Sequence, residues 1–209
     1  MADNATVKLA AVNDVLRRIG KLPGAQLDTG GGSTVALVEA ALDDAIESIL
    51  AKGWYFNRKF DEKITRDGSN EMPLTLLGTD TAHTTVYHVD SYGGDSYRNI
   101  TVRDSKLYDL DDNTTTMPAS MLVEYWYRVD LADVPQNFLK WIIAVAAFNF
   151  NRAYIGNQGR DGQLQAEMVA QEAAARREEF EASDTNVLET SEAMQLRGRP
   201  RMKNRSVYD

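Results

Sequence analysis

Apolar residues near the N-terminus recur at the spacing of amphipathic helices. The first apolar stripe, within residues 6–19, consists of Leu9, Val12, Leu16 and Ile19. The second stripe consists of Val35, Val38, Leu42, Ile46, Ile49 and Leu50. Ser33 precedes the second stripe as a favoured N-cap residue, and Gly20 and Gly53 follow the two stripes, where helices commonly end. The pattern predicts two helices, each with one buried face.

From Trp54 to about Asp130 the helical periodicity gives way to short segments that favour strands. These segments are "HTTVYHV", "YRNITVR" and "SMLVEYWYRV", and Gly, Asp, Asn and Pro residues separate them. β-branched and aromatic residues between turn-forming residues are typical of antiparallel strands. The pattern therefore predicts a small antiparallel sheet inserted between helices.

Helical patterning returns after Asp130. The segment "VPQNFLKWIIAVAAFNFNRAYIG" is apolar on most sides, which favours a central place in a bundle. A fourth helix, from about Gln163 to Ala182, is highly charged, and its predicted apolar seam consists of Ala166, Val169, Ala173 and Phe180. The fold class is therefore α+β: an antiparallel helical bundle with an inserted small β-rich region. Residues 1–53 and 131–185 form the bundle, 54–130 the insertion and 186–209 an extended basic C-terminal tail.

Three adjacent aromatic residues, Trp54, Tyr55 and Phe56, stand where the second helix ends, in "KGWYFN". On an extended chain Trp54 and Phe56 share one face, so we expect them to anchor the sheet to the helices while Tyr55 points outward. We expect Trp141 of the third helix to belong to the same core junction. The alternative is a stacking platform for sugars or bases, which the "YWY" run at 125–127 could also form.

Composition removes several classes of site. The chain has no cysteine, which excludes disulfides, thiolate catalysis and cysteine-based zinc or iron–sulfur sites. Its beginning lacks the pattern of a signal peptide, and its longest apolar run, "WIIAVAAFNF", is about half of the ~20 residues that cross a bilayer. We therefore expect a protein that does not enter membranes.

Charge is distributed unevenly along the chain. Of 31 acidic and 23 basic residues, one acidic and five basic residues lie within 195–209, which leaves 30 acidic and 18 basic residues in the rest. An acidic body repels nucleic acid phosphates, whereas a cationic tail is attracted to an anionic surface, either nucleic acid or another protein.

Few residues suggest chemistry. The densest carboxylate group, Asp109, Asp111 and Asp112, could serve a hydrolase, but it fits a solvated polar turn better. His83 and His88 could bind a metal ion, yet no third ligand accompanies them, so we expect exposed strand histidines. No phosphate-binding or nucleophile motif is present, and "DTGGGS" follows no strand. We therefore predict no catalytic, cofactor-binding or metal-binding residues.

Several segments, taken in order, resemble the tail tubular protein A family of short-tailed, T7-like bacteriophages. They are "AVNDVLRRIGKLP", "KGWYFN", "LYDL", "VPQNFLKWIIAVAAFNFNRAYIG" and "EASDTNVLE". The resemblance covers most of the chain, but residues 78–104 show no family motif and the tail after Leu196 is unusually basic.

The resemblance implies a structural virion protein at the head–tail interface, assembled in the host cytoplasm. Family members form an adaptor ring of twelve subunits between the portal protein and the nozzle, a tail tubular protein B-like protein. The ring lines the exit channel, and genomic DNA passes through it without sequence-specific contacts. Two other function classes remain open: a glycan hydrolase acting on the host envelope through the aspartates, and a nucleic-acid-binding module that uses the basic tail.

The tail has a regular charge pattern. Its cations fall at every second position, so an extended conformation would present them on one side; they are Arg197, Arg199, Arg201, Lys203 and Arg205. Given the resemblance, we expect this row to dock along an acidic groove of the portal and to bring Val207 and Tyr208 into a terminal pocket.

Overall fold

A computed structural model describes residues 3–27, 33–74, 86–91 and 98–188. The described helices are α1 (Asn4–Arg18), α2 (Thr34–Leu50), α3 (Gln136–Phe150) and α4 (Gln158–Leu188). Between α2 and α3 the described residues form five strands: β1 (Arg58–Thr65), β2 (Val86–Ser91), β3 (Ile100–Arg103), β4 (Lys106–Asp109) and β5 (Ser120–Tyr127). The predicted α+β class, a helical bundle with an inserted β-rich region, is confirmed.

The central element of the bundle is α3, which packs against α1, α2 and α4. Most of its length is apolar all round, and its buried residues are Phe138, Trp141, Ile142, Ile143, Ala144, Ala146, Ala147 and Phe150. After Phe150 the chain makes one π-helical turn, Asn151–Ile155, and Gly156 then adopts a left-handed conformation before α4. None of the helices in the described part of the chain is long and apolar enough to cross a membrane.

The insertion has an apolar core of its own. Strand β5 lies between β1 and β2 in an antiparallel three-stranded sheet, and β3 pairs with β4 in a hairpin. The buried residues of this second core are Ile64, Met72, Val89, Ile100, Leu107, Met117, Met121, Val123 and Tyr125. Because the bundle core is a separate cluster, the two parts must be joined by specific contacts.

The prediction for α4 was wrong about the face that packs. The helix is longer than predicted at both ends, and it contacts the bundle through Leu164, Met168 and Ala175. The predicted seam lies on the opposite, exposed side; its residues are Ala166, Val169, Ala173 and Phe180. Polar contacts fix which side faces inward: Glu167 on that side pairs with Arg18, and Glu178 and Glu179 accept hydrogen bonds from Tyr55.

Candidate functional site: the junction between helices and sheet

The aromatic run packs onto α3 at the end of α2. The ring centroid of Trp54 lies 4.9 Å from that of Phe138 and 5.6 Å from that of Trp141, and Phe56 lies 4.9 Å from Phe138. Trp54 is 6% exposed and Trp141 is 3% exposed. The indole Nε1 of Trp54 donates to the carbonyl of Ile49 at 2.7 Å, so its one polar atom is satisfied. These rings close the bundle core beside the insertion.

Tyr55 does not point outward as expected. The chain turns at the aromatic run instead of extending, since Asn57 N donates to the carbonyl of Trp54 at 3.0 Å. This turn directs Tyr55 toward α4. Its backbone N–H donates to Glu179 Oε2 at 3.0 Å, and its hydroxyl donates to Glu178 Oε1 at 2.9 Å. Tyr55 therefore ties the junction to the C-terminal half of α4.

The Tyr55 hydroxyl is held in its protonated form. Burial, the hydrogen bond to Glu178 and the negative charges of Glu178 and Glu179 raise the pKa of Tyr55 to about 12. The hydroxyl is consequently a hydrogen-bond donor throughout the neutral pH range.

Asn57 is the polar centre of the junction, and sequence reasoning missed it. It is 0% exposed. Its Nδ2 donates to the carbonyls of Leu50 and Tyr127, both at 2.9 Å, and its Oδ1 accepts from Trp54 N at 2.6 Å. One amide side chain thus joins the end of α2, the aromatic turn and the end of β5. The sequence signal was the position of Asn57 directly after three aromatic residues. An asparagine in an apolar stretch is expected to be buried, and a buried amide needs hydrogen-bond partners.

Trp126 completes the contact between sheet and helix. Its Nε1 donates to the carbonyl of Ala51 at 2.9 Å. Gly53 has φ of 73°, and a Cβ there would lie 2.9 Å from the Trp126 ring, so a larger residue would push the ring away. On the strand side, exposed His88 stacks on Trp126 with ring centroids 4.0 Å apart. His83 lies outside the described residues.

Asp109, Asp111 and Asp112 make more hydrogen bonds and ion pairs within the fold than a solvated turn would. The prediction of a solvated turn is wrong for Asp109, which is 1% exposed. Its carboxylate pairs with Arg98, and its Oδ1 accepts from the backbone N–H groups of Asp111 at 2.9 Å and Asp112 at 3.1 Å. Asp111 in turn accepts from Asn99 N at 3.3 Å. Through these contacts the carboxylates of Asp109 and Asp111 hold the loop after β4 closed.

This arrangement lowers the pKa of Asp109. Burial alone would raise it, but the hydrogen bonds from Arg98 and from the N–H groups of Asp112 and Asp111 outweigh burial. A carboxyl group with a lowered pKa stabilises the fold above its ordinary value of about 3.9, and this stabilisation is lost as pH falls through the lower, folded-state pKa.

We predict that Asp109→Asn destabilises the protein by about 1–2 kcal/mol at pH 7, because Arg98 then loses the buried one of its two carboxylate partners. The difference from wild type should begin to shrink below about pH 4, the ordinary range of an Asp side chain, and should be lost as pH falls through the lower pKa of folded Asp109. Urea unfolding at pH 7, 5 and 3 measures this. Asp112→Asn is the matched control, since that carboxylate also pairs with Arg98 but its side chain is 64% exposed. Equal stability of both variants at pH 7 would contradict the prediction.

The residues predicted to dock on the portal lie outside the described part of the chain. They are Arg197, Arg199, Arg201, Lys203, Arg205, Val207 and Tyr208. Among the side chains that the structure describes, no group of three His, Asp or Glu residues could hold a metal ion.

Comparison with known proteins identifies the family. A model of the family described as "Tube: Tail tubular protein" matches residues 9–185, which include the bundle, the junction and the inserted strands. Comparison with curated proteins gave no match. The match confirms the family that the ordered sequence motifs indicated. The chain therefore belongs to the tail tubular protein family, whose members are structural components of phage tails.

Proposed function

We propose that this protein forms the adaptor ring between the portal protein and the tail nozzle. The observation that carries the proposal is the family match over residues 9–185. In the ring, residues 1–53 and 131–185 act as the helical body, 54–130 as the insertion and 186–209 as the tail. Twelve copies surround the exit channel, and the nozzle protein is tail tubular protein B-like. The subunits assemble in the host cytoplasm before they join the virion.

The junction supports this role mechanically. Trp54, Phe56 and Trp141 form a shared aromatic contact, and Asn57 fixes β5 to the end of α2. An insertion fixed in this way holds a constant orientation relative to the bundle, as a subunit needs when both parts contact neighbours.

Charge supports a channel wall. Outside residues 195–209 the chain has 30 of its 31 acidic residues but only 18 of its 23 basic residues. A wall with excess negative charge does not bind DNA phosphates, so the genome can pass without being held.

The basic tail fits the contact with the portal. Extended, it would place its alternating cations along one side, opposite an acidic groove, with Val207 and Tyr208 entering a pocket at its end. Charge-assisted pairing of this kind speeds association and makes it sensitive to salt.

We predict that deleting residues 197–209 lowers the affinity for the portal protein of the same phage. Added salt should weaken the binding of the wild-type protein more than the binding of the deletion variant.

Mass measurement of the protein alone and with portal should show a closed set of copies on the portal. A full-length variant with all five tail cations changed to Gln is the matched control for charge and should show the same loss. Unchanged portal binding would contradict tail docking, while a loss of DNA binding alone would favour a nucleic-acid-binding tail.

A further inference from the structure

Apolar side chains lie along the outward side of α4, and no described part of the chain covers them. We define this outer face of α4 by the exposed residues Ala166, Val169, Ala173, Arg177 and Phe180. Val169 is 55% exposed and Phe180 is 72% exposed. The row spans roughly 21 Å of helix, at 1.5 Å per residue. Exposed apolar residues aligned along one helix face are typical of a protein–protein contact.

A second outward face lies on α2. We define this outer face of α2 by Ala40, Asp44 and Ser48, which are exposed and recur every fourth residue. The other side of α2 is buried against the bundle. Since α2 and α4 are separate helices that each pack against α3, the two outer faces are different surfaces of the bundle. The small side chains of Ala40 and Ser48 on the outer face of α2 would allow a neighbouring helix to approach closely.

The charges of the two faces are complementary. The acidic residues of α4 that face the bundle are occupied within the chain: Glu167 pairs with Arg18, and Glu178 and Glu179 accept from Tyr55. The outer face of α4 is left with a cation at Arg177. The outer face of α2 carries the carboxylate of Asp44 as its charged group. The cationic, apolar face therefore fits the acidic, small-residue face.

We propose that the outer face of α4 packs on the outer face of α2 of a second copy of this chain. A contact between two different surfaces of a subunit is head-to-tail, and it generates a closed ring when the rotation between copies closes. This inference rests on the proposed adaptor ring and assigns its lateral contact.

Cross-linking tests the proposal directly, because the chain has no cysteine. The full-length double variant Ala40→Cys/Ala173→Cys, assembled on the portal and treated with a short bis-maleimide, should give a ladder of covalent oligomers. Each single variant should give none. Cross-linked dimers from Ala173→Cys alone would mean that α4 meets α4, and would overturn the proposal.

Two outcomes separate this inference from the proposed function. A closed set of copies on the portal without any ladder from the double variant would leave the ring intact and reject the α4–α2 contact. Absence of a closed set would reject the ring itself. Both readings come from the same sample, since its mass is measured before cross-linking.

Charge reversal gives an independent check. Arg177→Asp should weaken self-association about tenfold, and Asp44→Arg in the same chain should restore much of it. Arg17→Asp is the matched control, because Arg17 is an exposed helical arginine outside both faces. Equal weakening by Arg177→Asp and Arg17→Asp would overturn the contact, since it would show an effect of net charge alone.

Discussion

Trp54→Ala and Trp141→Ala are each expected to destabilise the protein by roughly 3–5 kcal/mol. Both indoles are almost fully buried, and they contact each other and Phe138 where the bundle meets the insertion. Truncation leaves a large cavity that the α3 backbone cannot fill. In Trp54→Ala the carbonyl of Ile49 also loses the indole donor and keeps the longer hydrogen bond from Lys52 N at 3.2 Å.

Thermal and urea unfolding, monitored by circular dichroism, measure both effects. Leu22→Ala is the control, since Leu22 is 90% exposed and its truncation should change the free energy of unfolding by less than about 0.5 kcal/mol. Melting of both Trp variants near the wild-type temperature would contradict a core junction, and the stacking-platform interpretation would then gain support.

Asn57→Ala is expected to cost roughly 3–5 kcal/mol, as much as the loss of an aromatic ring. The substitution removes three hydrogen bonds of a fully buried side chain. The carbonyl of Tyr127 and the N–H of Trp54 lose that partner, whereas the carbonyl of Leu50 keeps the N–H of Gly53 at 3.2 Å. Each buried group left unsatisfied costs about 1–3 kcal/mol.

Two variants separate hydrogen bonding from shape at this position. Asn57→Asp keeps the size of the side chain but cannot donate to the two carbonyls, so it should be at least as destabilising as Asn57→Ala at pH 7. Asn149→Ala, at an exposed position of α3, should leave stability nearly unchanged. A small effect of Asn57→Asp would show that packing, and not hydrogen bonding, fixes the junction.

Local pattern predicted the elements of the fold well. The apolar stripes of α1 and α2, the continuous apolar run of α3 and the strand-favouring segments between them each depend on neighbours in sequence. The inserted sheet could therefore be placed between helices before any contact was known.

Contacts between distant residues could not be predicted in the same way. The outward position expected for Tyr55 assumed an extended chain, whereas a turn and the carboxylates of Glu178 and Glu179 draw it inward. Burial of Asp109 depends on Arg98, which approaches only when the loop after β4 closes. For α4, the charge pattern did not show which acidic residues are satisfied inside the bundle.

The pairing of β1 with β5 bears on how the chain folds. Arg58 lies opposite Trp126, so the first and last strands of the insertion bring its two ends together. Without that pairing, docking α2 on α3 would require closure of a long flexible loop, whose entropic cost grows with the logarithm of its length. Once the sheet has formed, the bundle closes a much shorter effective loop. We therefore expect sheet formation to precede bundle closure, and loop-length changes distant from β1 and β5 to alter folding rates little.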